Sequence, residues 1–270
     1  MEDQSLKEIL WEKDSHGKIW KQMHRGYFST RALAEPLLKA TEKVMESERL
    51  DAVVDLGGGT GFVLGWLKEV AERHGIRRIN LDLSAEQLAA MEDSGIEAQQ
   101  GSIADFKRSD LGLSETDQVL WISRSSLHYF GENGLDGVLK HLREQMRPGE
   151  WFVHQSACFE EPEDARTLTR LYHMMGTEKW YPPKVEMRDR LEQVGFEVAT
   201  EKSAPPLGLA SDEVMVRYHF GERERAEMIR ELAQSPEGKQ GVFEVEKKDF
   251  MAYLHYFVFG CRVRDEGRRK

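Results

Sequence analysis

Residues 53–62 read Val-Val-Asp-Leu-Gly-Gly-Gly-Thr-Gly-Phe, an apolar run that ends in an acid and leads into four glycines. Such a run is typical of a buried parallel strand, and residues 63–71 carry apolar side chains at helical spacing. Glycine at a strand-to-helix turn permits a positive φ and lets a ligand lie against bare backbone. The stretch therefore predicts an α/β fold with a nucleotide-like cofactor at the carboxyl end of its first strand.

The spacing of the glycines separates two cofactor classes. A dinucleotide fingerprint reads Gly-x-Gly-x-x-Gly, and its last glycine packs the helix whose N-terminus faces a pyrophosphate. Here Gly57 and Gly59 fill the first two positions, but Phe62 fills the sixth, and Gly61 makes the pattern Gly-x-Gly-x-Gly. With Asp55 inside the strand, this pattern favours a cofactor that has no pyrophosphate. Taken alone, it is also compatible with a purely structural turn.

A second strand ending in an acid follows about twenty residues later, in the stretch Arg-Ile-Asn-Leu-Asp-Leu-Ser of residues 78–84. Asp82 stands where a carboxylate can accept hydrogen bonds from both hydroxyls of a ribose. Ser84 and Gln87 form a capping box for the next helix, so the ligand role is the better explanation of Asp82. The glycine pattern and the pattern Asp-x-Ser-x-x-x-Leu, which ends at Leu88, together resemble the class I S-adenosylmethionine-dependent methyltransferases.

The resemblance covers residues 51 to about 203 and a closing strand at 253–263. It implies an α/β fold with a seven-stranded, mostly parallel Rossmann-like sheet, helices on both faces, an N-terminal helical cap and inserted lid segments. The alternation of strands and helices along the chain supports a parallel sheet with right-handed crossovers. The expected division is a helical cap at 1–50 and a methyltransferase domain at 51–270, with insertions at about 158–183 and 203–249.

The resemblance implies S-adenosyl-L-methionine as cofactor. In this family an acid usually follows the glycine after the third strand and meets the adenine, but here Ser102 holds that position and Asp105 follows three residues later. Either side chain could make the contact. Arg124 would contact the methionine carboxylate or a substrate acid, with a surface ion pair as the alternative. The expected cofactor-binding residues are Asp55, Gly57, Gly59, Gly61, Asp82, Leu83, Ser102, Ile103 and Arg124.

One side chain after the fourth strand suits proton transfer. His128 lies in the stretch Ser-Arg-Ser-Ser-Leu-His-Tyr-Phe of residues 123–130 and could act as a base near neutral pH. Its structural alternative is a histidine that pairs with a backbone carbonyl at the turn. An activated methyl group needs mainly an aligned, desolvated nucleophile, so positioning alone is a further alternative.

The segments outside the sheet are rich in aromatic side chains. These could close over the sulfonium or a cationic substrate through cation–π attraction, or they could form a satellite core that holds the insertions in place. The expected substrate-binding residues are Tyr27, His173, Trp180, Tyr181 and Tyr218.

Composition narrows the class of substrate. The chain has 270 residues, 38 of them basic and 48 acidic, for a net charge of −10, which disfavours nucleic acid because phosphate neutralisation dominates that binding. No apolar run approaches the roughly 20 residues that span a bilayer, and because residues 1–8 are charged we expect no signal peptide. Two cysteines provide neither a disulfide framework nor metal-ligand spacing.

We therefore predict a cytoplasmic methyltransferase that acts on a small-molecule metabolite by O-, N- or S-methyl transfer. It would use no metal and bind neither nucleic acid nor membrane, and the sequence leaves a homodimer open. One alternative is a methyltransferase-like partner subunit that binds the cofactor without turnover. The other is an NAD-dependent oxidoreductase, against which the missing third glycine argues.

Overall fold

The structure is a computed structural model that describes residues 23–233 and 241–264. Within these residues the chain forms an eight-stranded sheet with helices on both faces. The strands are β1 (Ala52–Leu56), β2 (Arg77–Asp82), β3 (Ile96–Gln100), β4 (Val119–Arg124), β5 (Trp151–Ala157), β6 (Phe196–Ala210), β7 (Phe243–Glu246) and β8 (Asp249–Val263). Their spatial order is β3-β2-β1-β4-β5-β8-β6, and β7 pairs with β8 outside this path.

The sheet is parallel from β1 to β5, whereas β8 is antiparallel to each of its neighbours. This confirms the predicted mostly parallel sheet and its closing strand, and β7 adds a short eighth strand. Strand order reverses between β1 and β4. In open sheets of this kind, ligands bind outside the carboxyl ends of the strands at that switch point.

Helices on the two faces bury two separate apolar cores, because consecutive residues of a strand point to opposite sides. On β4, Trp121 joins one core and Ile122 the other, and both are fully buried. The helices in the described residues are α1 (Glu35–Ser47), α2 (Phe62–Trp66), α3 (Lys68–His74), α4 (Ala85–Ala89), α5 (Gly131–Gln145), α6 (Pro162–Met174), α7 (Lys184–Gln193), α8 (Ser211–Arg217) and α9 (Glu222–Ala233). Not one of them is long and apolar enough to cross a membrane.

A buried ion pair anchors the amino ends of β4 and β5. The carboxylate of Glu150 accepts hydrogen bonds from the Arg108 guanidinium at 2.9 and 3.1 Å and from Trp121 Nε1 at 2.9 Å. The backbone amides of Val119 and Arg147 each donate a further bond of 3.1 Å to it. Five donors thus compensate a carboxylate whose side chain has no exposed surface, as a buried charge requires.

A third apolar core, which we call the cap core, packs against the end of the sheet where β6 and β8 extend past β5. It joins Tyr27 and Phe28 to α6, α8, α9, β7 and the first half of β8. The aromatic residues of the insertions therefore form a satellite core, which is one of the two explanations that the sequence left open for them. Part of the predicted N-terminal cap, residues 1–22, lies outside the described residues, as do 234–240 of the second insertion and 265–270.

The second insertion begins later than the expected Ser203. Strand β6 continues through Pro205 and Pro206 to Ala210, with a register shift between Ala204 and Leu207. Proline is tolerated at such an irregularity because its missing N–H costs no ladder hydrogen bond there. The prolines therefore mark a bulge in a long strand, and the β6–β8 pair extends past β5 to carry the cap core.

Candidate active site

The loop between β1 and α2 has left-handed backbone at three glycines. Gly57, Gly59 and Gly61 have φ values of +74°, +58° and +77°, which L side chains rarely adopt. A Cβ at Gly59 would lie 2.6 Å from Oε1 of Gln87, and one at Gly57 would lie 2.7 Å from Oγ of Ser126. The loop therefore presents bare backbone at the carboxyl end of β1.

The carboxylate of Asp82 holds this loop in place. The backbone amide of Gly59 donates to Asp82 Oδ2 at 2.8 Å, and that of Ser84 donates to Oδ1 at 2.9 Å. Ser84 Oγ accepts from the amide of Gln87 at 3.3 Å, which confirms the predicted N-cap of α4. The amide bonds from Gly59 and Ser84 orient the Asp82 carboxylate at the carboxyl end of β2.

Two further expected residues of the first two strands lie beside the loop. Asp55, 1% exposed, lies beneath Gly58, where an added Cβ would be 2.6 Å from its carboxylate. Leu83 is half-buried directly after β2. Both residues thus belong to the carboxyl edge of the sheet.

The turn after β3 also reaches the loop. A Cβ at Gly57 would lie 3.2 Å from Cδ1 of Ile103, which is buried. Ser102 is buried as well, and its Oγ accepts a 3.1 Å hydrogen bond from the amide of Ala104. Asp105, the alternative to Ser102, is exposed.

Arg124 at the end of β4 is buried among aromatic rings. Its guanidinium donates to the carbonyls of Phe28 at 3.0 Å and Tyr27 at 3.3 Å and lies 5.3 Å from the centre of each ring. Burial lowers the pKa of the guanidinium. The surface-ion-pair alternative for Arg124 is therefore wrong, because this side chain ties β4 to the segment before α1.

The residue after Arg124 has a strained backbone. Ser125 is a non-glycine residue with φ +60°, a conformation that costs on the order of 1–3 kcal/mol and occurs mostly at functional sites. Its amide donates to the carbonyl of Gln155 at 2.8 Å, and its hydroxyl lies 2.7 Å from Oη of Tyr256. The turn directs the following residues toward a cleft between the glycine loop and the cap core. The sequence carries no signal for this position, because it lacks the glycine that usually marks a positive φ.

His128 and Tyr181 meet in that cleft. The half-buried ring of His128 lies 4.4 Å from that of Tyr129 and 5.4 Å from that of Tyr181, measured between centroids. Gly57 and Gln87 line the same cleft. The expected catalytic residue and one expected substrate residue thus share a cavity with the glycine loop.

Three basic groups from distant segments line the cleft and were not predicted. Lys179, 6% exposed, places Nζ 4.6 Å from the ring centre of Tyr129 and 5.1 Å from that of Tyr172. Arg217 Nη1 lies 2.9 Å from Nε2 of His24. No local motif could have indicated them, because the fold brings them together from the N-terminal segment, the α6–α7 connection and α8.

His24 connects these cations to an acid. Its Nδ1 lies 2.9 Å from the carboxylate of Glu213. Burial lowers the pKa of His24, although Glu213 acts in the opposite direction. Arg217 and Lys179 lower this pKa further through their charges, which places all three basic groups in one electrostatic cluster.

The other expected substrate residues occupy different surroundings. Tyr27 lies behind Arg124, donates to the carbonyl of Pro205 at 2.5 Å, and has a pKa that burial raises to about 12. Tyr218 is half-buried, with its hydroxyl 3.4 Å from Nζ of Lys179. Neither tyrosine is among the residues that line the cleft, but Tyr27 contacts Arg124 and Tyr218 contacts Lys179, both of which do line it.

His173 and Trp180 line a separate surface groove beside α6 and α7, contrary to expectation. His173 is exposed, and Trp180 packs under the guanidinium of Arg190 at 4.6 Å. Consecutive helical residues point about 100° apart, so when Tyr172 faces the cleft its neighbour His173 faces away.

Comparisons with known proteins were made for sequence and for structure. No family model matches the chain. The trans-aconitate 2-methyltransferases of Mycobacterium tuberculosis and Mycobacterium bovis are 33% identical over 126 residues, which is 46% of this chain and 44% of theirs. The chain thus matches less than half the length of these curated relatives.

Solved structures cover far more of the chain. A Bacillus halodurans protein provisionally named a methyltransferase superposes with a TM-score of 0.66 at 13% identity, covering 84% of this chain and 99% of its own. Human N-acetylserotonin methyltransferase in complex with S-adenosylmethionine superposes with a TM-score of 0.53 at 14% identity, covering 94% of this chain and 57% of its own. A Thiobacillus denitrificans methyltransferase in complex with S-adenosylhomocysteine superposes with a TM-score of 0.50 at 16% identity, covering 85% of this chain and 91% of its own. At these identities the likeness is one of fold.

Proposed function

We propose that this chain, which has the fold of the class I S-adenosylmethionine-dependent methyltransferases, transfers a methyl group to a small molecule bound in the cleft beside the glycine loop. One observation carries the proposal. The left-handed glycine loop, its Asp82 anchor and the cleft with His128 lie together at the carboxyl edge of the sheet.

The residues at this edge fit an adenosyl ligand. A Cβ at Gly57 or Gly59 would meet the side chain of Ser126 or Gln87, both of which line the same cleft, so bare backbone at these glycines would let a ligand approach the loop closely. Asp82 would accept hydrogen bonds from the ribose hydroxyls beside its two amide bonds. Leu83, Ser102 and Ile103 would contact the adenine, and Asp55 would support the loop from β1.

S-Adenosylmethionine, when bound, supplies an activated methyl group: a lone pair of the acceptor forms the new bond as the carbon–sulfur bond breaks, leaving neutral S-adenosylhomocysteine. The chain has to align the acceptor and exclude water. The cap core would do this, because its residues Phe28 and Tyr172 line the cleft together with Gly57 of the glycine loop.

We assign the proton transfer to His128. Its half-buried ring lines the cleft between Tyr129 and Tyr181 and follows the strained Ser125 at the end of β4. An imidazole there can take a proton from an O–H, N–H or S–H acceptor near neutral pH. Arg124 supports the site from behind by fixing the Tyr27–Phe28 segment.

The name of the sequence relatives supports a small-molecule acceptor. We place its recognition in the cap core and in the described segments 158–183 and 211–233, because the sheet supplies the residues proposed to bind the cofactor. We also propose a cytoplasmic location, in keeping with two buried, unpaired cysteines.

The test combines binding and turnover. The purified protein is incubated with S-adenosylmethionine carrying a labelled methyl group and a library of small metabolites, and labelled products are identified by mass spectrometry. Thermal-shift measurements with S-adenosylhomocysteine and NAD run in parallel, since a ligand that binds only the folded state raises its melting temperature. Stabilisation by S-adenosylhomocysteine with a labelled product supports the proposal. Stabilisation without any product favours the non-catalytic subunit, and stabilisation by NAD alone favours an oxidoreductase.

A further inference from the structure

Residues 23–26, which we call the N-terminal turn, have an unusual backbone at the side of the cleft. His24 and Arg25 have φ values of +49° and +54°, and Gly26 follows at +76°. Left-handed backbone is costly for residues other than glycine, so two such residues in succession persist only when surrounding contacts hold them. The conformation of the N-terminal turn therefore depends on its contacts with the rest of the chain.

His24 makes the contacts that join the turn to α8. Its backbone amide donates to Oε1 of Glu213 at 2.9 Å, and its Nδ1 lies 2.9 Å from the same carboxylate oxygen. Its Nε2 lies 2.9 Å from Nη1 of Arg217. The residue is buried and lines the cleft. One histidine thus connects the N-terminal turn, α8 and the cleft.

The two neighbours of the imidazole define its protonation state. A guanidinium has only N–H donors, so Nε2 of His24 accepts from Arg217 through its lone pair. The single ring proton is then on Nδ1, where it faces the carboxylate of Glu213. The contact with Arg217 therefore requires a neutral imidazole.

We propose that His24 is a pH-sensitive latch, which holds the N-terminal turn against the cleft while the imidazole is neutral and releases the turn when Nε2 is protonated. A proton from solvent on Nε2 replaces the lone pair by an N–H, so the bond from Arg217 is lost and two positive charges face each other. Release of the turn withdraws His24 from the lining of the cleft. The inference rests on the proposed function, because it concerns access to the same cleft.

The charged groups around His24 favour its neutral form. In the described part of the chain, Glu213 and Arg217 on α8 and Lys179 between α6 and α7 act on the ring. Burial lowers the pKa of His24 most, Arg217 and Lys179 lower it further, and Glu213 raises it. A released histidine has its ordinary pKa near 6.5. The closed turn is therefore fully stable above that pH and loses stability as the pH falls below it.

The size of the cleft calls for such a movement. With the turn in place the cleft has a volume of about 50 Å³, enough for a few water molecules. Pockets for small-molecule ligands and cofactors usually measure about 300–1,000 Å³. Arg124 holds the carbonyls of Tyr27 and Phe28, directly after the turn. The N-terminal turn is therefore the part of this segment that a change at His24 can free.

Hydrogen exchange of the ligand-free protein tests the latch. A peptide that covers residues 23–30 contains the hydrogen-bonded amides of His24, Tyr27 and Ser29. Its exchange, corrected for the intrinsic effect of pH, should become about tenfold faster between pH 7.5 and pH 5.5. This is the ratio expected when the released state binds a proton with a pKa of 6.5 and the closed state does not. A peptide from α5 serves as the internal control.

Variants separate the charge of His24 from its hydrogen bonds. His24→Gln keeps one acceptor and one donor but cannot be protonated, so its exchange should match that of the wild type at pH 7.5 and not depend on pH. Glu213→Ala should exchange at least tenfold faster than the wild type already at pH 7.5. Glu213 is half-buried, so this variant decides if His24→Gln does not fold. His173→Gln and Glu227→Ala, at exposed side chains on α6 and α9, are the matched controls and should behave as the wild type does.

Stopped-flow binding of S-adenosylhomocysteine measures access to the cleft. Its association rate constant should rise about tenfold from pH 7.5 to pH 5.5 in the wild type, in proportion to the released fraction, and stay constant in His24→Gln. Exchange of residues 23–30 that is independent of pH in the wild type, or that keeps its pH dependence in His24→Gln, would overturn the latch. A constant association rate beside pH-dependent exchange would overturn its control of the cleft. Failure of S-adenosylhomocysteine to bind at any pH would instead count against the proposed function, and the exchange data would still decide on the latch.

Discussion

The backbone amide of Gly59 donates a 2.8 Å hydrogen bond to the carboxylate of Asp82, across 23 residues of sequence. The bond forms because β1 and β2 are adjacent parallel strands whose carboxyl ends meet at one edge. It fixes the glycine loop in the conformation that exposes its backbone, and it orients the carboxylate at the same time. Cofactor affinity should therefore depend on Asp82 both directly and through the loop.

Asp82→Ala is expected to weaken binding of S-adenosylhomocysteine by about 1.5–3 kcal/mol, the range for hydrogen bonds to a charged group. Asp82→Glu should restore only part of the affinity, because its longer side chain displaces the carboxylate from the Gly59 amide. Isothermal titration calorimetry measures both. The exposed Asp136→Ala, on α5, is the control and should bind as the wild type does. A loss of less than about twofold for Asp82→Ala would contradict its role.

His128→Ala and His128→Gln are expected to lower turnover by about 10²–10⁴, the range for a positioned general base. Affinity for S-adenosylhomocysteine should hardly change, because the loss falls on the transition state. The pH profile of wild-type turnover should show a limb near neutrality that both variants lack. His173→Ala, which changes an exposed histidine outside the cleft, is the matched control. Folded His128→Ala with near-wild-type turnover would exclude the base assignment.

Glu150→Gln is expected to lower the free energy of unfolding by about 3–5 kcal/mol, because removal of one partner leaves the buried Arg108 charge uncompensated. Urea denaturation provides the measurement. The control is Glu115→Gln at a 93% exposed carboxylate that pairs with Arg147, for which we expect a change within about 0.5 kcal/mol. Equal stability of the two variants would mean that the buried pair contributes no more than a surface one.

His154 should make stability depend on pH. Burial lowers its pKa from 6.5 to about 3, so below pH 6.5 the unfolded state binds a proton that the folded state does not. The free energy of unfolding should therefore fall as pH falls through this window, by about 2 kcal/mol between pH 7 and pH 5. His154→Phe should lack this component, whereas the exposed His173→Phe should retain it. The same pH dependence in wild type and His154→Phe would refute the assignment.

Local sequence signals predicted a mostly parallel sheet and placed the glycine loop and Asp82 at the carboxyl ends of its first two strands. The glycine spacing and the Asp82–Ser84 pair act within one βα unit, so a short stretch of sequence is enough to reveal them. Sequence did not predict that β6 runs past Pro205, because a proline at a bulge and a proline in a loop look alike in sequence.

The side of the cleft formed by segments outside the sheet's first four strands was less predictable. Lys179 and Arg217 come together only through the cap core, and no local pattern connects them. Aromatic content alone could not decide that Tyr172 faces the cleft while His173 faces away, since that depends on the rotation of α6 about its axis. The strained backbone of Ser125 likewise arises from tertiary contacts with Gln155 and Tyr256.

Calorimetric titration of S-adenosylhomocysteine into the wild type and Gly59→Val tests the central claim most directly. A Cβ at Gly59 would lie 2.6 Å from Gln87 Oε1, on a backbone with φ +58°. Gly137→Val is the control, since a Cβ there meets nothing within 4 Å. We predict one-to-one binding by the wild type and Gly137→Val, and no measurable binding by Gly59→Val that is still folded by circular dichroism. A wild type that does not bind, or a Gly59→Val variant with wild-type affinity, would contradict the account.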